Sequence, residues 1–162
     1  MINSERFKKA MEFTVKKHEG QKRIGGEPYS SHPIAVAKLL REAGYDEDYQ
    51  IAGLFHDLLE DTDATEDELL RFGSPEILEA VKLLTKEKDY VMSEYIGRIR
   101  KNKMAFVVKG ADRLHNLQSA FCAGEQFKRK YILESLEWYT DFDKRIPEAI
   151  RQLEMTLEEP LT

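Results

Sequence analysis

The sequence predicts an all-α fold: a single domain over residues 1–162, folded as a bundle of about seven or eight helices. Three observations predict it. Apolar residues return every three or four positions along nearly the whole chain, the period of one helix face. No segment alternates at period two between turn signals, as a half-buried strand would. The gaps between periodic segments are short and carry glycine, proline or capping residues.

The elements follow in order. Phe7, Met11 and Val15 make an apolar stripe on a first helix, closed by His18, Glu19 and Gly20. QKRIGGEPYSS, residues 21–31, is a loop by composition. Ser31 before His32 and Pro33 reads as an N-cap followed by a first-turn proline. The second helix runs through Ile34, Val36, Ala37, Leu39 and Leu40 and stops near Gly44. A third begins at Asp46 or Glu47 and carries Ile51, Leu54 and Phe55 into LFHDLLEDT, residues 54–62, before DTDAT interrupts it. Thr65 and Glu68 have capping-box spacing and open a short helix that ends at residues 72–74. Pro75 starts another, with Ile77, Val81 and Leu84 inward. Residues 90–101 and 104–121 are two more. AFVVKGAD, residues 105–112, has strand-like composition, but ADRLHNLQSA continues the 3.6-residue period, so the stretch reads as buried helix. A long helix is expected over residues 127–144, packed through Tyr131, Leu133, Leu136, Trp138 and Phe142. Pro147 kinks or ends it, and the tail is helical to about Glu158.

Composition narrows the function classes. A 41% hydrophobic and 34% charged chain of net charge −5 is that of a soluble globular protein. Arg98, Arg100, Lys101 and Lys103 form the nearest basic cluster, too small for phosphate neutralisation along a nucleic acid. No apolar run approaches the roughly 20 residues of a membrane helix, and the N-terminus has no signal-peptide core. Cys122 is the single cysteine, which excludes an intrachain disulfide and a thiolate zinc site. Cytoplasmic localisation is expected, with no nucleic-acid or membrane partner. No motif speaks to oligomeric state.

LFHDLLEDT places four ionisable groups among core-like residues. On a continuous helix His56 and Glu60 share a face, and Asp57 and Asp61 share another about 100° away. Buried carboxylates are paired or bind metal. Alone, the segment also fits a helix end whose acids face water. SSHPIAVA adds His32 in the first turn of an apolar helix, and VVKGADRLHNL adds Asp112 inside an apolar run. Such a nitrogen-and-oxygen set suits Mn²⁺, Fe²⁺, Zn²⁺ or Mg²⁺ better than a thiophilic ion.

This ordered set of H, HD and D resembles the HD superfamily of metal-dependent phosphohydrolases. RIGGEPYSSHPIAVA, LFHDLLEDTDAT and KGADRLHNL together resemble the hydrolase domain of the RelA/SpoT family and its stand-alone small alarmone hydrolases, over roughly residues 20–142. The resemblance implies one divalent ion, usually Mn²⁺, on His32, His56, Asp57 and Asp112. It implies that Glu60 and Asp61 handle the attacking water, with Arg23 against the nucleotide and Asn116 hydrogen-bonded to it. Ser119 falls where the family often has Thr and keeps the hydroxyl. Ile24 replaces a substrate-holding Lys of longer members, and Gly110 replaces Leu or Ile, which loosens packing near Asp112. The implied reaction takes guanosine 3′-diphosphate 5′-di- or triphosphate to GDP or GTP and pyrophosphate. The chain ends at Thr162, so no synthetase domain is expected.

Several residues are given other roles. Local positive charge is assigned to Arg23 and Lys22, with Lys109 open between substrate and structure. Arg113 is assigned to a pair beside Asp112, His115 to a partly exposed structural position, His18 to the first helix's dipole, and Trp138 to the core. Glu42, Asp46, Glu47 and Asp48 are expected to be a solvated face. The rival functions are another HD activity (an NADPH or nucleotide phosphatase), a catalytically silent nucleotide-binding module, and a helical adaptor without metal.

Overall fold

The computed structural model describes residues 4–161; residues 1–3 and 162 of the expected domain lie outside them. Among the described residues there are α-helices and one 3-10 turn, and no strand. The helices are α1 (Glu5–Lys17), α2 (Ser31–Glu42), α3 (Glu47–Phe55), α4 (Leu58–Asp61), α5 (Glu66–Phe72), α6 (Pro75–Leu84), α7 (Met92–Arg100), α8 (Lys103–Ser119), α9 (Glu125–Trp138) and α10 (Ile146–Glu154). That makes more elements than expected, because two predicted helices are broken.

The helix carrying the HD dipeptide breaks at that dipeptide. The Gly53 carbonyl accepts from His56 Nδ1 at 2.6 Å, and this bond competes with the regular backbone ladder. The chain resumes as the single turn α4. The predicted helix over 127–144 ends at Trp138, and α10 starts afresh with Pro147 in its first turn, where a missing N–H costs nothing. The helix stops at Glu154, short of Glu158.

α8 is the axis of the bundle. Ala105, Val108, Ala111, Leu114 and Leu117 are buried along it, against α2, α3, α6, α7 and α10. Asn102 caps it at the Ala105 N–H, 2.9 Å. Gly53 lets α2 and α3 pack closely: a Cβ there would lie 2.8 Å from Leu40 Cδ1. Gly110 does the same on α8, where a Cβ would lie 2.5 Å from the Phe142 carbonyl oxygen. Gly110 therefore tightens the packing beside Asp112 rather than loosening it. The Thr65–Glu68 capping box forms as predicted, and Ser74 caps α6 ahead of Pro75.

Some faces differ from expectation. On α1 the buried side is Phe7, Ala10 and Thr14, and Val15 is exposed. Ser30, not Ser31, is the N-cap of α2, with no side-chain cap bond. Leu133 and Leu136 of α9 are exposed, while Ile132 and Ser135 point inward. Trp138 packs on the core as assigned. The basic cluster is not free: Arg100 makes a bidentate pair with Asp141, both contacts at 2.9 Å. Of the acidic set, Glu47 and Asp48 pair with Arg6.

Candidate metal centre and substrate cavities

Three segments converge on one buried cluster. His32 comes from the first turn of α2, His56 and Asp57 from the α3–α4 break, and Asp112 from the middle of α8. His32 Nε2 lies 2.7 Å from Asp112 Oδ1 and 3.9 Å from Asp57 Oδ2. His56 Nε2 lies 3.2 Å from Asp112 Oδ1 and 3.1 Å from Asp57 Oδ2. His32, His56 and Asp57 each offer one atom within 4.8 Å of the others. Donors bonded at about 2.1 Å to one small divalent ion stand roughly 3 Å apart, so two nitrogens and two oxygens at these separations fit such an ion.

Both imidazoles are held from behind. A carbonyl can only accept, so His56 Nδ1 carries the hydrogen given to Gly53 and Nε2 faces the cluster. His32 Nδ1 faces His115 Nδ1 at 2.8 Å, and the two share one hydrogen. It sits on His115 when His32 Nε2 donates to Asp112, and on His32 when Nε2 offers its lone pair. Burial, then His32 and Arg23, lower the His115 pKa to about 4, so His115 is neutral and free to accept. His115 is thus the orienting partner of His32, which the sequence reading missed.

The charges of the cluster act strongly on one another. Burial alone disfavours charge on His56, but Asp57 and Asp112 outweigh it and raise its pKa well above the usual 6.5. Burial likewise favours neutral carboxylates, yet His56 lowers Asp57 to about 2. Lys109 and the histidines hold Asp112 well below its ordinary range. At His32 burial wins and lowers the pKa.

The outer oxygens are also taken. Lys109 Nζ reaches Asp112 Oδ2 at 3.1 Å, between the rings of Tyr95 and Tyr139 at 5.7 Å each. Lys109 is thus a buried cation paired with Asp112 at the wall of the cavity beside it. The Tyr29 hydroxyl donates to Asp57 Oδ2 at 2.6 Å. Arg113 does not pair with Asp112. Its guanidinium lies between Tyr131 and Tyr139, 4.0 and 4.1 Å from the ring centres, and bonds Glu134 at 2.6 Å.

Glu60 and Asp61 stand at the exposed rim in α4. Glu60 Oε1 accepts from the Lys86 N–H at 2.6 Å. Burial, then Asp57 and Glu60, raise the Asp61 pKa to about 6. His18 is buried and its pKa is lowered, mainly by burial. It therefore carries no charge for the α1 dipole and instead bonds Gln21 Oε1 at 2.8 Å.

Two cavities meet here. One, of about 200 Å³, is lined by His56, Asp57, Glu60, Asp61, Lys86, Lys109 and Asp112 among others. The other, of about 250 Å³, is lined by Lys22, Arg23, Ile24, Phe127 and Cys122 among others. Tyr29, Asn116 and Tyr131 belong to both. Arg23 donates to Asn116 Oδ1 at 3.2 Å and Ser119 Oγ at 2.8 Å, across the floor of the second cavity. Ile24 is exposed at its mouth.

Residues 10–147 match the HD domain family. The chain belongs to the HD-domain family. Over 89% of its length the chain is 36% identical to a guanosine-3′,5′-bis(diphosphate) 3′-pyrophosphohydrolase of Aquifex aeolicus. Over 88% it is 37% identical to the bifunctional (p)ppGpp synthase/hydrolase SpoT of Escherichia coli. It spans 22% of the length of each of these relatives. The solved structure of a metazoan ortholog of SpoT shares the fold, with a TM-score of 0.70 and 24% identity over 98% of this chain and 94% of that one. No helix among the described residues is long and apolar enough to cross a membrane.

Proposed function

We propose that this HD domain hydrolyses the 3′-pyrophosphate of guanosine 3′-diphosphate 5′-di- or triphosphate, giving GDP or GTP and pyrophosphate, with one divalent ion. The observation that supports the reading is the pair of neighbouring cavities that share Tyr29, Asn116 and Tyr131. One has aromatic and apolar walls suited to a nucleoside, and the other is a charged chamber around the His–Asp cluster. The two named relatives act on, or make, this class of nucleotide.

His32, His56, Asp57 and Asp112 would hold the ion, and Mn²⁺ is the proposed occupant. When bound, it supplies a Lewis acid for the phosphoryl oxygens and lowers the pKa of water in the site. The chain's own residues do the rest. Asp61, poised near pH 6, accepts the proton from the attacking water. Glu60, fixed by the Lys86 N–H, orients that water beside it. Lys109 keeps Asp112 ionised. Arg23, with Asn116 and Ser119, clamps the nucleoside end, and Lys22 adds charge for the 5′-phosphates.

A turnover screen tests this. Purified protein with Mn²⁺ is given the tetraphosphate, the pentaphosphate, NADPH and dNTPs, and the products are separated. Pyrophosphate with GDP or GTP supports the proposal. Orthophosphate from NADPH alone overturns it.

A further inference from the structure

We propose that Tyr29 is a positioning residue of this site: its phenol fixes Asp57 Oδ2 at the cation cluster.

The hydroxyl lies 2.6 Å from Asp57 Oδ2. That oxygen is also the one facing the histidines, 3.1 Å from His56 Nε2 and 3.9 Å from His32 Nε2. The phenol therefore grips the oxygen that faces the cluster. Asp112 is gripped differently, by a cation on its far oxygen. A phenol orients a carboxylate without neutralising it, so Asp57 keeps its whole charge for the ion. A phenol ordinarily ionises only near pH 10, so it is a donor here.

The surroundings are built to hold this ring. The loop before it folds on itself, with the Arg23 N–H on the Glu27 carbonyl and the Tyr29 N–H on the Gln21 carbonyl, both at 2.9 Å. The ring packs on His18, centroids 4.9 Å apart. Gln21 holds His18 at 2.8 Å and, through its amide nitrogen, donates to the Asp61 carbonyl at 2.9 Å. One strut thus aligns Tyr29 with Asp57 and braces the turn that bears Asp61. Tyr29 also forms, with Asn116 and Tyr131, the wall common to both cavities. A nucleotide with its base in one chamber and its pyrophosphate in the other must pass this ring. Only this last point rests on the function proposed above.

The test is a calorimetric titration with MnCl₂ of metal-free wild type and Tyr29→Phe, without nucleotide. Removing a hydrogen-bond partner behind a metal-binding group typically weakens metal affinity by about 10–100-fold, and that loss is expected for Tyr29→Phe. The Mn²⁺ dependence of turnover should shift by the same factor. Mn²⁺ binding within twofold of wild type overturns the proposal. Should Tyr29→Phe not melt cooperatively, His18→Leu carries the test, because it removes the ring's support and spares the phenol. At least threefold weaker Mn²⁺ binding supports the proposal; unchanged binding overturns it. A shift in Mn²⁺ binding without turnover of any nucleotide sinks the hydrolase reading and leaves Tyr29's role standing.

Discussion

Gly110→Ala separates two opposite readings of one glycine. If Gly110 merely loosened α8, alanine would stabilise the protein by about 1 kcal/mol through helix propensity. The geometry says otherwise. The new Cβ would lie 2.5 Å from the Phe142 carbonyl oxygen and 3.3 Å from Asp143 Cβ. Ordinary carbon–oxygen contacts begin near 3.3 Å, so α8 and the segment after Tyr139 must separate by about 0.8 Å. Neither partner is a flexible side-chain tip, since the nearest atom is backbone. Overpacking of this kind costs about 1–3 kcal/mol, which exceeds or offsets the propensity gain. A net loss near 1 kcal/mol lowers Tm by roughly 2–4 °C in a chain of this size. Asp112 lies two residues further on, and displacement by a fraction of an ångström weakens both metal binding and turnover. A loss approaching ~10²-fold accompanies a 1 Å misplacement, so a drop in kcat/KM of roughly tenfold is expected. Thermal melts and steady-state kinetics at saturating Mn²⁺ read both effects. A variant that melts higher than wild type and retains full activity refutes the close-approach argument.

Asp61→Asn should keep Mn²⁺ affinity and lower kcat by about 10²–10⁴-fold, as loss of a general base does; calorimetry and initial rates check it together. Wild-type kcat should fall as pH drops through about 6, because Asp61 is protonated below that value and can no longer accept a proton. Mn²⁺ affinity should also fall with pH, about tenfold per unit while His56 holds its proton, since the ion must displace it; titrations in buffers of different ionisation enthalpy count the proton released. Arg23→Ala should raise KM more than it lowers kcat, the mark of uniform binding.

Periodicity made the bundle legible, including α8, whose Val-rich start reads like a strand in composition alone. The cap at Thr65 was legible because its side chain meets its own backbone three residues away, whereas Ser31, also read as a cap, lies inside its helix and the Ser74 cap went unread. Depth was not: Val15, Leu133 and Leu136 keep the helical period yet are exposed among the described residues. The break at His56 was hidden for a related reason. It depends on a side chain competing for the Gly53 carbonyl, and both residues lie in an otherwise continuous pattern. At the site, the motifs located His32, His56, Asp57 and Asp112, which the structure brings together. The groups behind them left no local signal. His115 reaches His32 across 83 positions and Tyr29 reaches Asp57 across 28.

Crystals soaked with Mn²⁺ and measured for anomalous scattering test the account's central claim most directly. One peak is expected, roughly 2.1–2.3 Å from His32 Nε2, His56 Nε2, Asp57 Oδ2 and Asp112 Oδ1, and Asp112→Ala should abolish or sharply weaken it. A peak between Glu60 and Asp61 with the His–Asp cluster empty, or no peak at saturating Mn²⁺, would contradict it.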